Sequence, residues 1–214
     1  MMQTLVSLFR RAARAEPGQA EGVALLASGT WTLELLKHLE WRRLEELCAA
    51  YYGAAGFRTE IVHERADGSA EICLFAAGES AASFIVHCKP WDAYPIGVRT
   101  LRELRTAMDA ANGAEGVLVT AGRFTREAAT FAAKERIELV DGAALLEKLA
   151  ALPPGQAAGL LKLVTKGDFL TPTCPRCLIK MTARRSTRQG RMFWGCRNYP
   201  RCKLTFPGTA LVGR

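Results

Sequence analysis

No apolar run in the 214 residues approaches the about 18 needed for a helix to cross a bilayer, which excludes a helical membrane span. Residues 1–9 are apolar over too short a stretch to resemble a secretory signal. With Arg10, Arg11 and Arg14 they read as a loosely ordered amphipathic helix, and a cytoplasmic protein is expected. There is no internal repeat and no low-complexity tract. Acidic residues are missing from one end of the chain: residues 171–214 hold no Asp or Glu but ten Lys and Arg. The first 170 residues carry 19 basic and 21 acidic groups, so the whole net charge of +8 resides in the tail. Charge of one sign gathered in one segment is the footprint of a surface that meets a polyanion.

The length allows one domain of ordinary size with a small appendage, and a 49% share of hydrophobic residues is enough to build a core for it. Apolar positions Leu36, Leu39, Leu44, Leu47, Cys48 and Tyr51 recur at helical spacing, so one or two helices are expected over 31–52, closing near Gly53 and Gly56. A strand at 57–63, a turn at 66–68 and a hairpin come next. A helix over 97–112 is ended by Gly113. A short buried strand spans 116–120, Thr125 caps a helix, 137–140 is a further strand, and Asp141 caps a last helix. Helix, three strands, helix, strand, helix, strand, helix is the order of an α/β domain with a mixed sheet flanked by helices. Leu152-Pro153-Pro154-Gly155 interrupts it. The organisation read from this is an extension over 1–30, a domain over 31–150, a linker with a short helix over 151–170, and a cysteine module over 171–214.

The stretch 83–91 is a strand ending in a lysine, with Phe84, Val86 and Cys88 on one face and Ile85, His87 and Lys89 on the other. Pro90 stops it. Its hairpin partner is the strand-like run 69–75, and symmetry about Glu79 puts Glu71 directly opposite His87, with Lys89 on the same face. A carboxylate, an imidazole and an ammonium then converge at one end of the hairpin. A slip of one residue would send Glu71 to the opposite face. The alternative from spacing alone is a solvated strand end.

Of seven cysteines, Cys48, Cys73 and Cys88 are scattered through apolar segments as small hydrophobes. Cys174, Cys177, Cys196 and Cys202 form two close pairs, whose spacing suits four thiolates around a tetrahedral Zn²⁺. About forty residues cannot bury enough surface alone, so the metal would supply folding energy. An iron site of the rubredoxin type is the other metal this pattern fits; a redox Cys-x-x-Cys lacks its βαβ setting. Around the second pair, Phe193 and Trp194 lie among Arg184, Arg185, Arg188, Arg191, Arg197 and Arg201. Aromatics and cations so mixed suit base stacking and phosphate contact. They suit equally a small core with a solvated basic face, or a surface that docks on another protein.

The sequences Cys-Pro-Arg-Cys at 174–177 and Phe-Trp-Gly-Cys-Arg-Asn-Tyr-Pro-Arg-Cys at 193–202 resemble the zinc ribbons at the carboxyl end of bacterial type I topoisomerases, with Leu178 where that family usually has glycine. Trp-Arg-Arg-Leu-Glu at 41–45, Ala-Asp-Gly-Ser-Ala-Glu at 66–71, His-Cys-Lys-Pro-Trp at 87–91, Gly97-Val98 with Arg102-Glu103-Leu104, and Val-Thr-Ala-Gly-Arg-Phe-Thr at 119–125 resemble the Mrr-like restriction endonuclease domain of the PD-(D/E)xK superfamily. The resemblance implies a restriction-endonuclease-like fold that hydrolyses DNA phosphodiester bonds with Mg²⁺ or Mn²⁺. The family's catalytic roles would fall on Glu71, His87, Lys89 and, from the first helix, Glu45. Glu71 stands where the family has aspartate, and His87 where it has Glu or Gln. Asp67, at an acidic position of the family's turn, would join Glu71 in holding the ion. DNA is the implied partner, in restriction or defence, and a homodimer is expected because two cuts across a duplex generally need two active centres. A nuclease fold that has lost activity and still binds DNA is the alternative.

Overall fold

The computed structural model describes residues 24, 26, 28–62, 71–89, 95–187 and 190–207. The expected amino-terminal helix, the turn at 66–68 with Asp67, and Pro90 and Arg188 lie outside the described residues. Among the described residues, the helices α1 (Leu33–His38) and α2 (Trp41–Ala54) precede the first strand. Strands β1 (Arg58–Val62), β2 (Glu71–Phe75) and β3 (Phe84–Lys89) follow, then α3 (Val98–Ala110), β4 (Glu115–Thr120), α4 (Arg126–Lys134), β5 (Ile137–Val140) and α5 (Gly142–Ala150). Helix α6 (Pro154–Val164) leads into a second, smaller sheet of β6 (Thr182–Arg185), β7 (Met192–Gly195) and β8 (Thr205–Pro207).

The local chemistry accounts for most boundaries. Thr32, Thr125 and Asp141 cap α1, α4 and α5 through their side-chain oxygens, accepting from the amides of Leu35, Ala128 and Ala144. Gly113 follows α3 with φ of 83°, a conformation glycine adopts without strain. Glu40 precedes α2 as its N-cap, yet its side chain makes no capping bond there.

The main sheet has the order β1-β2-β3-β4-β5. The first three strands pair antiparallel, β4 joins β3 in parallel and β5 joins β4 in parallel, as short connections and helical crossovers respectively require. Both faces are covered. Ile72, Leu74, Val86, Cys88, Val117 and Val119 pack against Leu35, Leu36, Leu44, Leu47 and Cys48 of α1 and α2, together with Leu145 and Leu149 of α5. Ile85 and Leu118 face Leu101, Leu104 and Met108 of α3 and Ala128 of α4. Each such buried leucine contributes on the order of 1.5–3 kcal/mol relative to an exposed one. The segment after α5 adds to this core: Leu160, Leu161 and Val164 of α6 and Phe169 belong to the same apolar cluster as α2.

Candidate active site and cysteine cluster

Strands β3 and β4 run parallel and end together, with Lys89 paired to Thr120. The segments beyond them are tied by reciprocal backbone bonds, Ile96 N–H to Arg123 O at 2.8 Å and Thr125 N–H to Ile96 O at 2.9 Å. The carboxyl end of parallel strands is the edge where α/β folds place their chemistry. Antiparallel β2 begins at that same edge with Glu71. The observed register sets Glu71 opposite His87, so the hairpin has the pairing expected from symmetry about Glu79.

Opposed residues share a face, and the Glu71 Oε2 and His87 Nε2 atoms are 3.4 Å apart. The His87 ring is almost fully buried, with 4% of its side chain exposed against 24% for Glu71. Lys89, two residues beyond His87, lies on the same face of the strand and is half-buried. Glu71, His87 and Lys89 are therefore brought to one end and one side of the sheet. Glu45 sits in α2, which packs on the other face, beside Cys88. The Cys88 thiol is held well above its ordinary pKa by its hydrogen bond to Cys48, by burial and by the negative charge of Glu45, while Lys89 pulls it down. Glu45 and Lys89 thus act on Cys88 from opposite faces of β3, and Glu45 is not brought together with Glu71, His87 and Lys89. Two donors about 2.1 Å from one cation are at most about 4.2 Å apart, so the Glu71–His87 spacing suits a shared ion. The nitrogen donor suits Mn²⁺ better than Mg²⁺, which takes oxygen almost exclusively.

At the other end of the chain, the sulfurs of Cys174, Cys177, Cys196 and Cys202 lie within 4.8 Å of one another. Tetrahedral bonds of about 2.3 Å would hold thiolates about 3.8 Å apart. The Cys174–Cys202 separation is 3.8 Å. Backbone bonds shape each turn: Leu178 N–H donates to Cys174 O, Cys174 N–H to Ile179 O, and Cys202 N–H to Asn198 O. Leu178, at the position read as usually glycine, has φ of 54° and is 65% exposed. The donors, their spacing and their burial fit zinc. Desolvation raises the Cys196 thiol, whereas the amide of Leu204 lowers that of Cys202.

The basic and aromatic residues of this module divide between two faces. Arg184 pairs with Phe193 across β6 and β7, and its guanidinium lies 5.6 Å from the Tyr199 ring. Gly195 leaves room for the Arg184 stem, since a Cβ there would meet its Cδ at 3.0 Å. Arg185, Arg191, Arg197 and Arg201 are exposed. Trp194, expected among the stacking residues, packs with Ile179, Leu204 and Phe206 against the cysteine cluster instead. Strand alternation sends neighbours Phe193 and Trp194 to opposite sides.

The restriction endonuclease family model, of the Mrr catalytic type, matches residues 36–149, more than half of the chain. The chain belongs to the Mrr-type restriction endonuclease family. Residues 171–208 match a second model, the topoisomerase DNA-binding C4 zinc finger. The chain is 28% identical over 116 residues to DNA topoisomerase 1 of Pyrococcus horikoshii, covering 52% of this chain and 15% of that protein. Among solved structures it is similar to the DNA modification-dependent restriction endonuclease AspBHI, at TM-score 0.45 and 20% identity, covering 65% of this chain and 42% of that one. It is also similar to the restriction endonuclease MspJI in complex with a 27-mer oligonucleotide, at TM-score 0.39 and 18% identity, with 77% and 39% covered. The chain thus spans under half of each of these proteins. Among the described residues no helix is long and apolar enough to cross a membrane.

One group of residues with structural consequence was not anticipated. Glu40, Trp41 and Lys180 are buried or half-buried at the junction of the Mrr domain and the cysteine module, and Glu40 and Lys180 are 140 residues apart in sequence. An apolar residue beside an acid at a helix start marks a cap and nothing more. No local signal names a partner so distant.

Proposed function

We propose that this Mrr-family protein is a metal-dependent DNA endonuclease whose zinc ribbon helps to hold the substrate. The observation that carries the reading is the convergence of Glu71, His87 and Lys89 at one end of the sheet, with Glu71 and His87 3.4 Å apart. Glu71 and His87, with Asp67, are the groups that would hold a divalent ion. When bound, that ion supplies positive charge for the phosphorane and acidifies a water. Lys89 presents its ammonium where a scissile phosphate would lie, stabilising charge that builds in the transition state. Glu45, in α2 on the opposite face of β3, is assigned an assisting role. The ribbon contributes Arg184, Arg185, Arg188, Arg191, Arg197 and Arg201 for phosphates and Phe193 for stacking, with Trp194 supporting from beneath. The protein acts in restriction or defence, in the cytoplasm on the nucleoid, and as a homodimer where both strands are cut.

A specific observation favours a second reading, in which the fold binds DNA without cutting it: the nearly buried His87 nitrogen stands where an oxygen ligand is expected. Incubating the protein with plasmid in Mg²⁺ and then Mn²⁺ decides between them. Cleavage by the native chain, reduced at least a hundredfold by Lys89→Ala, is the expected result. Cleavage that survives the substitution refutes the assigned site. Salt-sensitive binding with no cleavage in either ion selects the second reading.

A further inference from the structure

The cysteine module meets the start of α2 at the buried carboxylate of Glu40 and at the Trp41 indole. Glu40 Oε2 accepts from the backbone amide of Thr173 at 2.7 Å, and Oε1 pairs with Lys180 Nζ at 2.6 Å. Only 3% of the Glu40 side chain is exposed. Trp41, the first residue of α2, donates its indole N–H to Thr173 O at 2.7 Å. Lys180 also donates to the carbonyls of Asp168 and Thr171, both at 2.8 Å, and Glu40 N–H donates to Phe169 O at 3.0 Å. Both residues that grip Glu40 belong to the first cysteine turn. Thr173 immediately precedes Cys174, and Thr173 and Lys180 bridge each other across that turn.

Shorter polar side chains such as Asp cap a helix from this position; Glu40 leaves α2 without a side-chain cap and turns both oxygens to the ribbon. A buried carboxylate is tolerated only when its lone pairs are met, and here they are met by groups whose placement depends on the folded turn. That turn is one of the two that a metal at Cys174, Cys177, Cys196 and Cys202 would lock. We infer that Glu40 is a positioning residue that couples metal loading of the ribbon to the order of α2. The ribbon is then a rigid part of the nuclease domain and not a tethered accessory. Loss of the metal frees the turn, withdraws the partners of Glu40 and loosens the first turn of α2, where Arg43 and Leu44 donate to Glu40 O. Should Glu45 assist the chemistry as proposed, the same loosening reaches the active site one turn later.

The test uses the full chain and needs no cleavage, so its failure and the failure of the nuclease reading are distinguishable. Amide hydrogen exchange at Arg43 and Leu44, and the emission of Trp41 taken by difference from Trp41→Phe, are measured in the native protein, in Lys180→Met, in Cys174→Ser with Cys177→Ser, and in the combination. The cysteine variant is expected to speed exchange in the first turn of α2 at least tenfold and to shift Trp41 emission to the red, with Leu104 in α3 unaffected. Lys180→Met, still holding one equivalent of zinc, is expected to reproduce most of both changes. The combined variant then adds less than the product of the two. If the cysteine variant does not fold, Lys180→Met alone decides, since unchanged exchange and emission in it overturn the coupling. Effects that multiply fully in the combination overturn it as well.

Discussion

At the scale of single residues, His87 and Leu178 depart from the motifs that the sequence resembles, and each difference has a measurable consequence. His87 offers a nitrogen 3.4 Å from a Glu71 oxygen. Nitrogen ranks far below oxygen as a donor for Mg²⁺ but is well accepted by Mn²⁺. Calorimetric titration is expected to find Mn²⁺ bound at least tenfold more tightly than Mg²⁺, and His87→Gln, which restores an oxygen, to narrow that ratio. An unaltered ratio after the substitution places the ion elsewhere. Leu178 holds a left-handed backbone, φ 54°, while exposing 65% of its surface. Such a conformation costs a residue with a Cβ on the order of 1–2 kcal/mol, and glycine gives back about 0.5–1 kcal/mol through its freer unfolded chain. Leu178→Gly should therefore tighten zinc by about two- to fivefold in competition with a chromophoric chelator. Equal affinity would mean that the turn bears no strain.

At the scale of elements, the sequence was legible wherever local chemistry decided the outcome. Thr125 and Asp141 announced the starts of α4 and α5 because a side-chain oxygen on the first free amides is a local event. The Glu71–His87 pairing was readable because a short hairpin leaves few registers and the buried faces of β2 and β3 reject a slip of one residue. The same alternation divided Val86 and Cys88 from Ile85, and those residues now lie in separate apolar layers. What escaped reading depended on distance along the chain. Nothing in residues 151–170 reveals that Leu160, Leu161, Val164 and Phe169 pack with α2, since their helical spacing fits a linker helix as well as a core one. The fate of Trp194 was hidden for a related reason. An aromatic in a two-sided ribbon can face bases or cysteines, and only the phase of β7 against β6 decides which.

At the scale of the whole molecule, charge and anchorage fall to different residues of the ribbon. Lys180 turns inward to Glu40, whereas Arg184 and Arg185 on β6 are exposed. Removing the tail would therefore be a poor test of DNA binding, because it also strips Thr173 and Lys180 from a buried carboxylate and unsettles α2. Substitutions on exposed β6 avoid that confusion. Each phosphate neutralised by a cation adds about 0.9 to the steepness of log affinity against log salt on duplex DNA. Replacing Arg184 and Arg185 together by alanine is expected to reduce that slope by about 2, equally for unrelated DNA sequences, with thermal stability and zinc content unchanged. Lys89→Ala, a single charge at the end of β3, should change it by no more than about 1. A double variant whose slope matches the native protein would show that β6 faces away from the duplex. The basic strand would then serve a protein partner, and the nuclease domain alone would account for whatever DNA is held.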